Sequence, residues 1–457
     1  MKLPELNTGE NPDHAGVRLQ PEDNSRKLLI VTLIFFVALG VRLLNWQGHH
    51  NEALAVQSSV ALNYKHQARL IQANGVTSLF DPSSSTNDPD LLGHPPGYPI
   101  LLSLVYRLTG ERDIVTQLLQ LILDSLSVVI ITLIAFKLFP TATGVVAATL
   151  CAFAPQFSWN AITLLPDSLA ALPILLALLL ITHAIMRRDR NHYISILAAG
   201  ALVGVSCWLR ANALLLAPFL ALSLLVIAPR RARLRPALIL LGGALLVIGV
   251  LTVRNARVFG QFIPVSLGAG QTLVEGIADY NTDGSLGLPQ TDMELIRGEA
   301  ETYQRPDYAG SLFTPDGVAR DRARLARGFA VIRTHPFWFA GLMLRRSLSM
   351  LRLERTPLRL KTSSGWSLIQ WPLRTIQNFF ITALFLPLSL IGAGMLVYQR
   401  QFQKLAILLA VPCYYFCAQS ALHTEYRYVL VIHYFLFILA AIAIYRIGCV
   451  LISRATT

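Results

Sequence analysis

Charge is what this sequence has least of. Only 14% of its 457 residues are Asp, Glu, Lys or Arg, against 54% hydrophobic. Roughly a quarter charged is usual for a soluble domain, so an ordinary soluble globule is excluded. Cysteine is also sparse. Cys151, Cys207, Cys413, Cys417 and Cys449 all fall in apolar stretches, so free buried thiols are expected rather than a disulfide framework or a metal site. Cys413 and Cys417 stand four apart on one helix face and are read as core residues. No GxGxxG and no P-loop motif occurs, which leaves no nucleotide site of those kinds. No amphipathic soluble helix carries a basic stripe. The net charge of +13 therefore points to anionic membrane lipids rather than to nucleic acid. No small-residue cleavage site follows the first apolar run. Residues 1–26 accordingly read as a disordered cytoplasmic tail, not a cleaved signal. No internal repeat is evident.

Long apolar runs are what is present. Segments near the ~20 residues needed to cross a bilayer recur along the chain. They predict an all-α polytopic membrane protein with about ten transmembrane helices, near 27–45, 113–138, 143–159, 163–186, 193–209, 211–228, 236–253, 374–398, 403–421 and 427–449. Pro140, Pro229 and Pro236 punctuate the short turns. One set of short connections holds Arg26 and Lys27, then Arg187, Arg188 and Arg190, then Arg230, Arg231, Arg233 and Arg235, then Arg400 and Lys404. The other set holds little more than Arg210 and Arg427. The positive-inside rule then puts both termini in the cytoplasm.

That alternation leaves a first outer loop, 46–112, and a second outer region, 254–373. The 27–253 segment forms the transmembrane core and 374–449 the C-terminal helices. The first loop contains Gly93-His94-Pro95-Pro96-Gly97-Tyr98-Pro99, a proline-rich elbow through which no regular helix should pass. The apolar run that follows, 100–109, is too short to span. In the second region the turns at Gly268-Ala269-Gly270 and Asp283-Gly284 indicate a small folded unit. Residues 335–353 mix Phe337, Trp338, Phe339 and Leu344 with Arg345, Arg346 and Arg352, as an interface-lying helix does. All six tryptophans (Trp46, Trp159, Trp208, Trp338, Trp366 and Trp371) fall at or beyond the outer face. An aromatic belt is the plain reading; ring platforms for a sugar are the alternative.

Ionisable groups in membrane spans are functional candidates by default. Arg42, Asp167, Arg210, Arg254 and Arg427, with Glu425 beside the last, gather near the outer face. A transporter would instead place such groups near the midplane. Arg42, Arg254 and Arg427 are also explained by snorkelling to lipid phosphate, and Asp167 by capping a helix after Pro166. Gln117, Gln120 and Asp124 form a stripe at i, i+3, i+7 that either lines a cavity or bonds another helix. His183 and His433 read as satisfied core groups, and adjacent His49 and His50 make a poor metal pair. Arginine clusters with a carboxylate at a membrane surface suit sugar transfer from a lipid phosphate. Guanidinium groups hold the phosphate leaving group bidentately, and the acid takes the proton of an acceptor hydroxyl.

Five stretches, in this order, resemble the GT-C fold, polyprenyl-phosphate-sugar-dependent glycosyltransferases, a group that includes protein O-mannosyltransferases, aminoarabinose transferases of lipid A and RgtA/B/C/D-like proteins. The first stretches are His94-Pro95-Pro96-Gly97-Tyr98-Pro99, Leu164-Leu165-Pro166-Asp167-Ser168-Leu169 and Trp208-Leu209-Arg210. Then come Arg254-Asn255-Ala256-Arg257-Val258-Phe259-Gly260, leading to Pro264-Val265-Ser266, and Glu425-Tyr426-Arg427-Tyr428. Each is short, but together they cover most of 27–450. The resemblance implies a catalytic Asp-Glu soon after the first span. That pair is missing here, and the nearest equivalent is Asn51-Glu52. Glu52 is thus the expected base and Asp167 the second carboxylate, with Asp81, Asp88 and Asp90 further acids of the same loop. His94, Tyr98, Arg42, Arg210, Arg254 and Arg427 are the expected donor-phosphate and substrate-binding residues. No protein metal ligand is assigned; some members of the group use a divalent cation and others none. The implied partners are a polyprenyl-phosphate sugar donor, a glycan, lipid or protein acceptor, and membrane lipids. The implied place is a bacterial inner membrane with the site on the periplasmic face. A lipid or lipid-linked-sugar transporter is the alternative function, and a catalytically dead scaffold, prompted by the missing Asp-Glu, a third.

Overall fold

A computed structural model describes residues 24–88, 92–187, 192–227, 233–353 and 367–455, and every regular element among them is helical. Most of the polar tail, Arg188, Arg190, Pro229, Arg230, Arg231, Asp90 and Trp366 lie outside these residues. Seven helices are long and apolar enough to cross a membrane. Two bent helix pairs raise the number to nine, and 211–227 is a shorter apolar helix. The chain is an integral membrane protein; among the described residues seven to nine segments qualify as spans by length and composition, against about ten expected.

The first helix, α1 (Asn24–Ala55), has 32 residues. At ~1.5 Å per residue it is about 48 Å long and overshoots a ~30 Å hydrocarbon core. The sequence reading ended this span at 45. No proline stops it there, and Asn45, His49 and Ala53 continue its buried face. A left-handed turn at Gln57 leads into α2 (Ser58–Asn74). After the elbow, α3 (Gly97–Thr109) begins inside the proline-rich stretch, with Pro96 as its cap. A proline in the first helical turn sacrifices no intrahelical bond, so Pro99 is accommodated. Gly97 is required on steric grounds. A Cβ there would strike the backbone carbonyl of Trp208, which seats the elbow against the turn that carries Arg210.

Next come α4 (Asp113–Leu138), α5 (Thr141–Phe153) and α6 (Pro155–Ile162). The expected span 143–159 is broken by 49° at Pro155, where the ring removes a donor. A second break, 163–166, ends at Pro166 before α7 (Asp167–Arg187). Then follow α8 (His192–Leu209), α9 (Leu216–Ile227) and α10 (Leu234–Phe259). Helices α8 and α10 cross closely, because Gly200 and Gly243 each leave no room for a Cβ against the other helix's backbone.

Helices α11 (Ala269–Ala278), α12 (Asp292–Thr302), α13 (Gly317–Thr334) and α14 (Pro336–Met350) follow. Leu273, Val274, Ile277 and Leu342 form an apolar cluster of their own there. Arg320 and Arg324 of α13 both grip Glu299 of α12, with Arg324 Nε 2.6 Å from Oε1. Helix α14 is amphipathic, burying Phe339, Leu342 and Arg346 and exposing Phe337, Leu344 and Leu348. The chain ends with α15 (Ser367–Gln377), α16 (Thr382–Tyr398), α17 (Phe402–Cys417) and α18 (Leu430–Ala455). The expected span 374–398 is broken by 61° between α15 and α16. Of the five thiols only Cys151 and Cys207 are fully buried; Cys417 and Cys449 are exposed.

The polar stripe of α4 explains how the breaks are tolerated. Gln117 donates to the carbonyls of His50 and Ile162, and Gln120 to those of Ala161 and Thr163. The carbonyls of 161–163 have lost helical partners at the second break, and unpaired backbone is costly in a membrane. Trp46 and Tyr98 donate to the side-chain oxygens of the same two glutamines. Asp124, the last member of the stripe, is 2.6 Å from Arg42 Nε and accepts from the Tyr434 hydroxyl at 3.2 Å. The expectation that Arg42 serves the outer site is therefore corrected: it is fully enclosed and ties α1 to α4 and α18. His433 bonds the Met350 carbonyl through Nε2 but leaves its buried Nδ1 unpaired, so the expected core histidine is only half satisfied; His183 meets Lys137 at 3.0 Å.

Removing one member of such a buried pair typically costs ~3–5 kcal/mol, because the other charge is stranded. Arg42→Met and Asp124→Leu should each lower the thermal unfolding temperature of the purified protein strongly, and the double variant should recover part of the loss. Strictly additive losses would show that the two side chains do not depend on one another.

Candidate active site

Three interruptions of helix meet at one end of the bundle, and each delivers an ionisable residue. Pro166 ends the irregular stretch before α7 and places Asp167 in the first turn, where the helix dipole favours a carboxylate. Arg210 follows α8 in extended conformation (φ −149°, ψ 130°). Arg427 lies in the short 3-10 turn Tyr426–Val429 that leads into α18. The Asp167 carboxylate is fully buried between the two guanidinium groups. Arg210 Nη1 is 2.9 Å from Oδ1, and Arg427 Nη1 is 3.9 Å from Oδ2. The ring of Tyr428 lies under both cations, 4.2 Å from Arg210 and 5.1 Å from Arg427. Asn212 fixes that ring from behind by donating to the Tyr428 carbonyl at 3.1 Å.

The ion pairs are close but poorly aimed. Neither oxygen of Asp167 receives a well-directed hydrogen bond, nor does Arg427 Nη1 give one, and the Ser168 hydroxyl is likewise unpaired. The cleft they line with Tyr415 has about 10 Å³ of free space, room for one water. Charged hydrogen-bonding capacity is thus concentrated where a polar ligand could take it up.

A second, equally small cavity holds His94, Gln67, Asp88, Phe259 and Arg254. Arg254 was expected beside the donor. Its donors are instead committed: Nε to the Leu79 carbonyl at 2.9 Å, Nη1 to Asn255 at 2.8 Å, and Nη2 to Asn87. It staples residues 76–88 to α10, outside the Asp167 cleft. Tyr64 packs beside the second cavity, with its ring 4.9 Å from His94 and 5.1 Å from Tyr98. Burial, followed by the positive charges of Arg210 and Arg427, pushes the His94 imidazole down to about 4. It is therefore neutral near pH 7 and meets an anion only as a hydrogen-bond donor. The hydroxyl of Tyr98 is spent on Gln120 at 2.8 Å.

Glu52 lies on the last turns of α1, with its side chain 43% exposed and 3.0 Å from His49 Nδ1. It lines neither cavity. Asp81 is exposed and bonds Ser83, and Asp88 borders the second cavity. Of the expected site residues, then, the structure unites Asp167, Arg210 and Arg427. It sets His94 beside Tyr64 in the second cavity, and Arg254, Arg42, Tyr98 and Glu52 apart. Tyr64, Ser168 and Tyr428 were not foreseen. Tyr64 was legible in principle, since Ala61, Tyr64, Ala68 and Ile71 form the buried stripe of α2. The tryptophans are mostly structural: Trp208 donates to the Val247 carbonyl at 3.0 Å and Trp159 packs on His49, whereas Trp371 is exposed. The cleft does not fit a divalent cation. Its one fully buried acid already faces two guanidinium groups. Among the described residues, no three His, Cys, Asp or Glu side chains converge as a metal site.

Comparison with known proteins agrees with the fold. Residues 93–254 match the dolichyl-phosphate-mannose-protein mannosyltransferase family, a segment that runs from the elbow through Asp167 and Arg210 to Arg254. The fold is that of the oligosaccharyltransferase AglB from Archaeoglobus fulgidus. Its complex with an inhibitory peptide and a dolichol-phosphate superposes with a TM-score of 0.55 at 15% identity, covering 95% of this chain and 52% of that one. The apo form gives 0.55 at 16% identity, with the same coverage. The chain thus spans about half the length of these structures. ArnT from Cupriavidus metallidurans, bound to undecaprenyl phosphate, is matched at a TM-score of 0.36 and 14% identity, covering 92% of this chain and 78% of that one. No curated protein sequence matches. The class is therefore a GT-C-fold integral membrane protein. Within it, the central third of the chain carries the mannosyltransferase-type segment.

The displaced His94 makes a pH prediction. An unfolded chain binds a proton there near pH 6.5, and the folded protein only near 4. Lowering pH through that window favours the unfolded state. The fall in unfolding temperature from pH 7 to pH 5 should therefore be smaller for His94→Gln than for the parent protein. Equal falls would mean that the imidazole is hydrated.

Proposed function

We propose that this protein is a glycosyltransferase that moves a sugar from a polyprenyl-phosphate donor to a hydroxyl of a cell-envelope acceptor. The observation that carries this reading is the pair of guanidinium groups around a buried, under-bonded Asp167, at the junction of three helix breaks. The match of 93–254 to the mannosyltransferase family supports it. The AglB and ArnT structures, whose complexes hold dolichol-phosphate and undecaprenyl phosphate, are consistent with it.

In this reading Arg210 and Arg427 hold the donor phosphate. Asp167 stays ionised and keeps both cations in place. Glu52, at the mouth of the same end of the bundle, takes the proton of the acceptor hydroxyl. The acceptor oxygen bonds to the anomeric carbon as the bond from that carbon to the phosphate oxygen breaks, and the electron pair leaves with the phosphate. A single displacement of this kind inverts the anomeric centre. The proximal chemistry needs Glu52 to approach the cleft when acceptor binds, since it lines neither cavity unliganded. Arg26, Lys27, Arg233, Arg235, Arg400 and Lys404 flank the helix ends remote from Asp167. The positive-inside rule then puts the site on the outer face of a bacterial inner membrane and both termini in the cytoplasm. Residues 254–373 form the outer region in this topology. A transporter would need a polar path beyond the α4 stripe; there the Arg42–Asp124 pair closes the bundle.

Transfer is measured with purified protein, a polyprenyl-phosphate sugar and envelope acceptor. Arg210→Gln and Arg427→Gln should each lower it by about 10–100-fold, the loss of a charged hydrogen bond. Glu52→Gln should lower it by about 10²–10⁴-fold, as expected for a lost general base. Full transfer by both Glu52→Gln and Asp167→Asn would overturn the site assignment. Movement of lipid-linked sugar across vesicles without transfer would overturn the function. Mass spectrometry of envelope glycans from a deletion strain would name the sugar.

A further inference from the structure

Glu425 has no part in the transfer chemistry above, yet it makes the best-formed ion pair of Arg427. Its carboxylate meets Arg427 fork to fork, Nε to Oε2 at 2.9 Å and Nη2 to Oε1 at 2.9 Å. It also accepts from the Tyr428 hydroxyl at 3.2 Å. That is the geometry with which a guanidinium grips a phosphate. The carboxylate thus covers the face of Arg427 that a phosphate would use.

Charge and mobility point the same way. Arg210 and Arg427 supply two positive charges, and Asp167 and Glu425 two negative ones, so the cluster is neutral as it stands. The two acids are not equivalent. Asp167 is fixed in α7 with its side chain fully buried, whereas that of Glu425 is 33% exposed. Glu425 also belongs to a non-helical stretch, 423–425, so turning it outward breaks no helical hydrogen bond. The cleft on the Asp167 side of Arg427 has room for one water and for nothing as large as a phosphate, so a phosphate reaches this guanidinium through the fork that Glu425 fills.

We propose that Glu425 is a resident substitute for the donor phosphate. Its carboxylate leaves the fork of Arg427 as the lipid-borne phosphate arrives, and returns when the product leaves. A sugar phosphodiester carries one negative charge, as does the carboxylate, so the exchange keeps the cluster neutral in both states. The inference rests on the reading that Arg210 and Arg427 take the donor phosphate.

The test is binding of farnesyl phosphate, and separately of inorganic phosphate, to the full chain in detergent. Glu425→Gln keeps the size of the side chain and removes its charge. It should tighten both ligands by about tenfold, and the gain should vanish in the Arg427→Gln background. A gain of affinity is not what partial unfolding produces. Unchanged or weaker binding by Glu425→Gln, while Arg427→Gln still loses the ligand, would overturn the inference and leave the donor site standing. A gain confined to farnesyl phosphate would also overturn it, because the exchange would not be at the phosphate. No effect of Arg210→Gln, Arg427→Gln or Glu425→Gln would overturn the donor site itself.

Discussion

The structure depends on a carboxylate held between two guanidinium groups inside a membrane protein. Asp167 sits fully buried at the start of α7, between Arg210 and Arg427. A lone ionised acid at that depth would lose its charge or pull the helix apart. Together the three residues tie the beginnings of α7 and α18 to the end of α8, which are far apart in sequence. Each is delivered by a break in helix, where backbone groups are free to bond something other than the next turn. Side chains on α4 make those breaks tolerable, because Gln117 and Gln120 satisfy the carbonyls of 161–163. The stripe that resembles a polar pathway is thus the support of the site.

Donor accounting separates the buried arginines by role. Arg42 gives Nε to Asp124 and Nη1 to the carbonyls of Ala38 and Ala152, and is fully buried with Nη2 unpaired. Arg254 spends Nε, Nη1 and Nη2 on residues 79, 87 and 255. Arg346 bonds the carbonyls of Gly276, Ser420 and Leu422, holding α14 against α11 and the segment before Glu425. Arg210 and Arg427 border the Asp167 cleft with contacts that a ligand could displace, whereas Arg254 borders the second cavity with its donors committed. An arginine near a membrane surface is therefore no guide to function until its donors have been assigned.

Much of the architecture was legible in the sequence, and the reasons are physical. Apolar runs near the length of a bilayer give the order of the helices, though not the number of continuous spans. The resemblance in five short stretches was carried by residues at helix breaks, where local chemistry overrides hydropathy. Breaks themselves were not legible. The runs 143–159 and 374–398 are apolar throughout, and hydropathy has no register for a bend of 49° or 61°. Within the site, Asp167 and Arg210 could be read because an acid after Pro166 and an arginine in an apolar turn both contradict their surroundings. Arg42 and Arg254 contradict theirs equally, and only three-dimensional partners distinguish them. Glu425 was noticed as the neighbour of Arg427, but sequence gives no sign that its carboxylate fills the fork.

The same segment links the cleft to the helical unit beyond it. His423, two residues before Glu425, donates its backbone N–H to the Thr272 carbonyl at 2.6 Å, and its ring lies 2.8 Å from Asp279. The nearby carboxylate raises the affinity of that imidazole for a proton. Gly276 of α11 has no side chain because the backbone of 422–423 occupies the space a Cβ would need. The strand of chain that carries Glu425 is thus clamped at one end to α11 and α14, and at the other to α18. An anchored segment whose one partly exposed carboxylate is held by side chains alone confines movement to that side chain. This is why a change of occupant at Arg427 can be local: the guanidinium groups, Asp167 and Tyr428 stay where helix ends have put them, and only the carboxylate needs to turn.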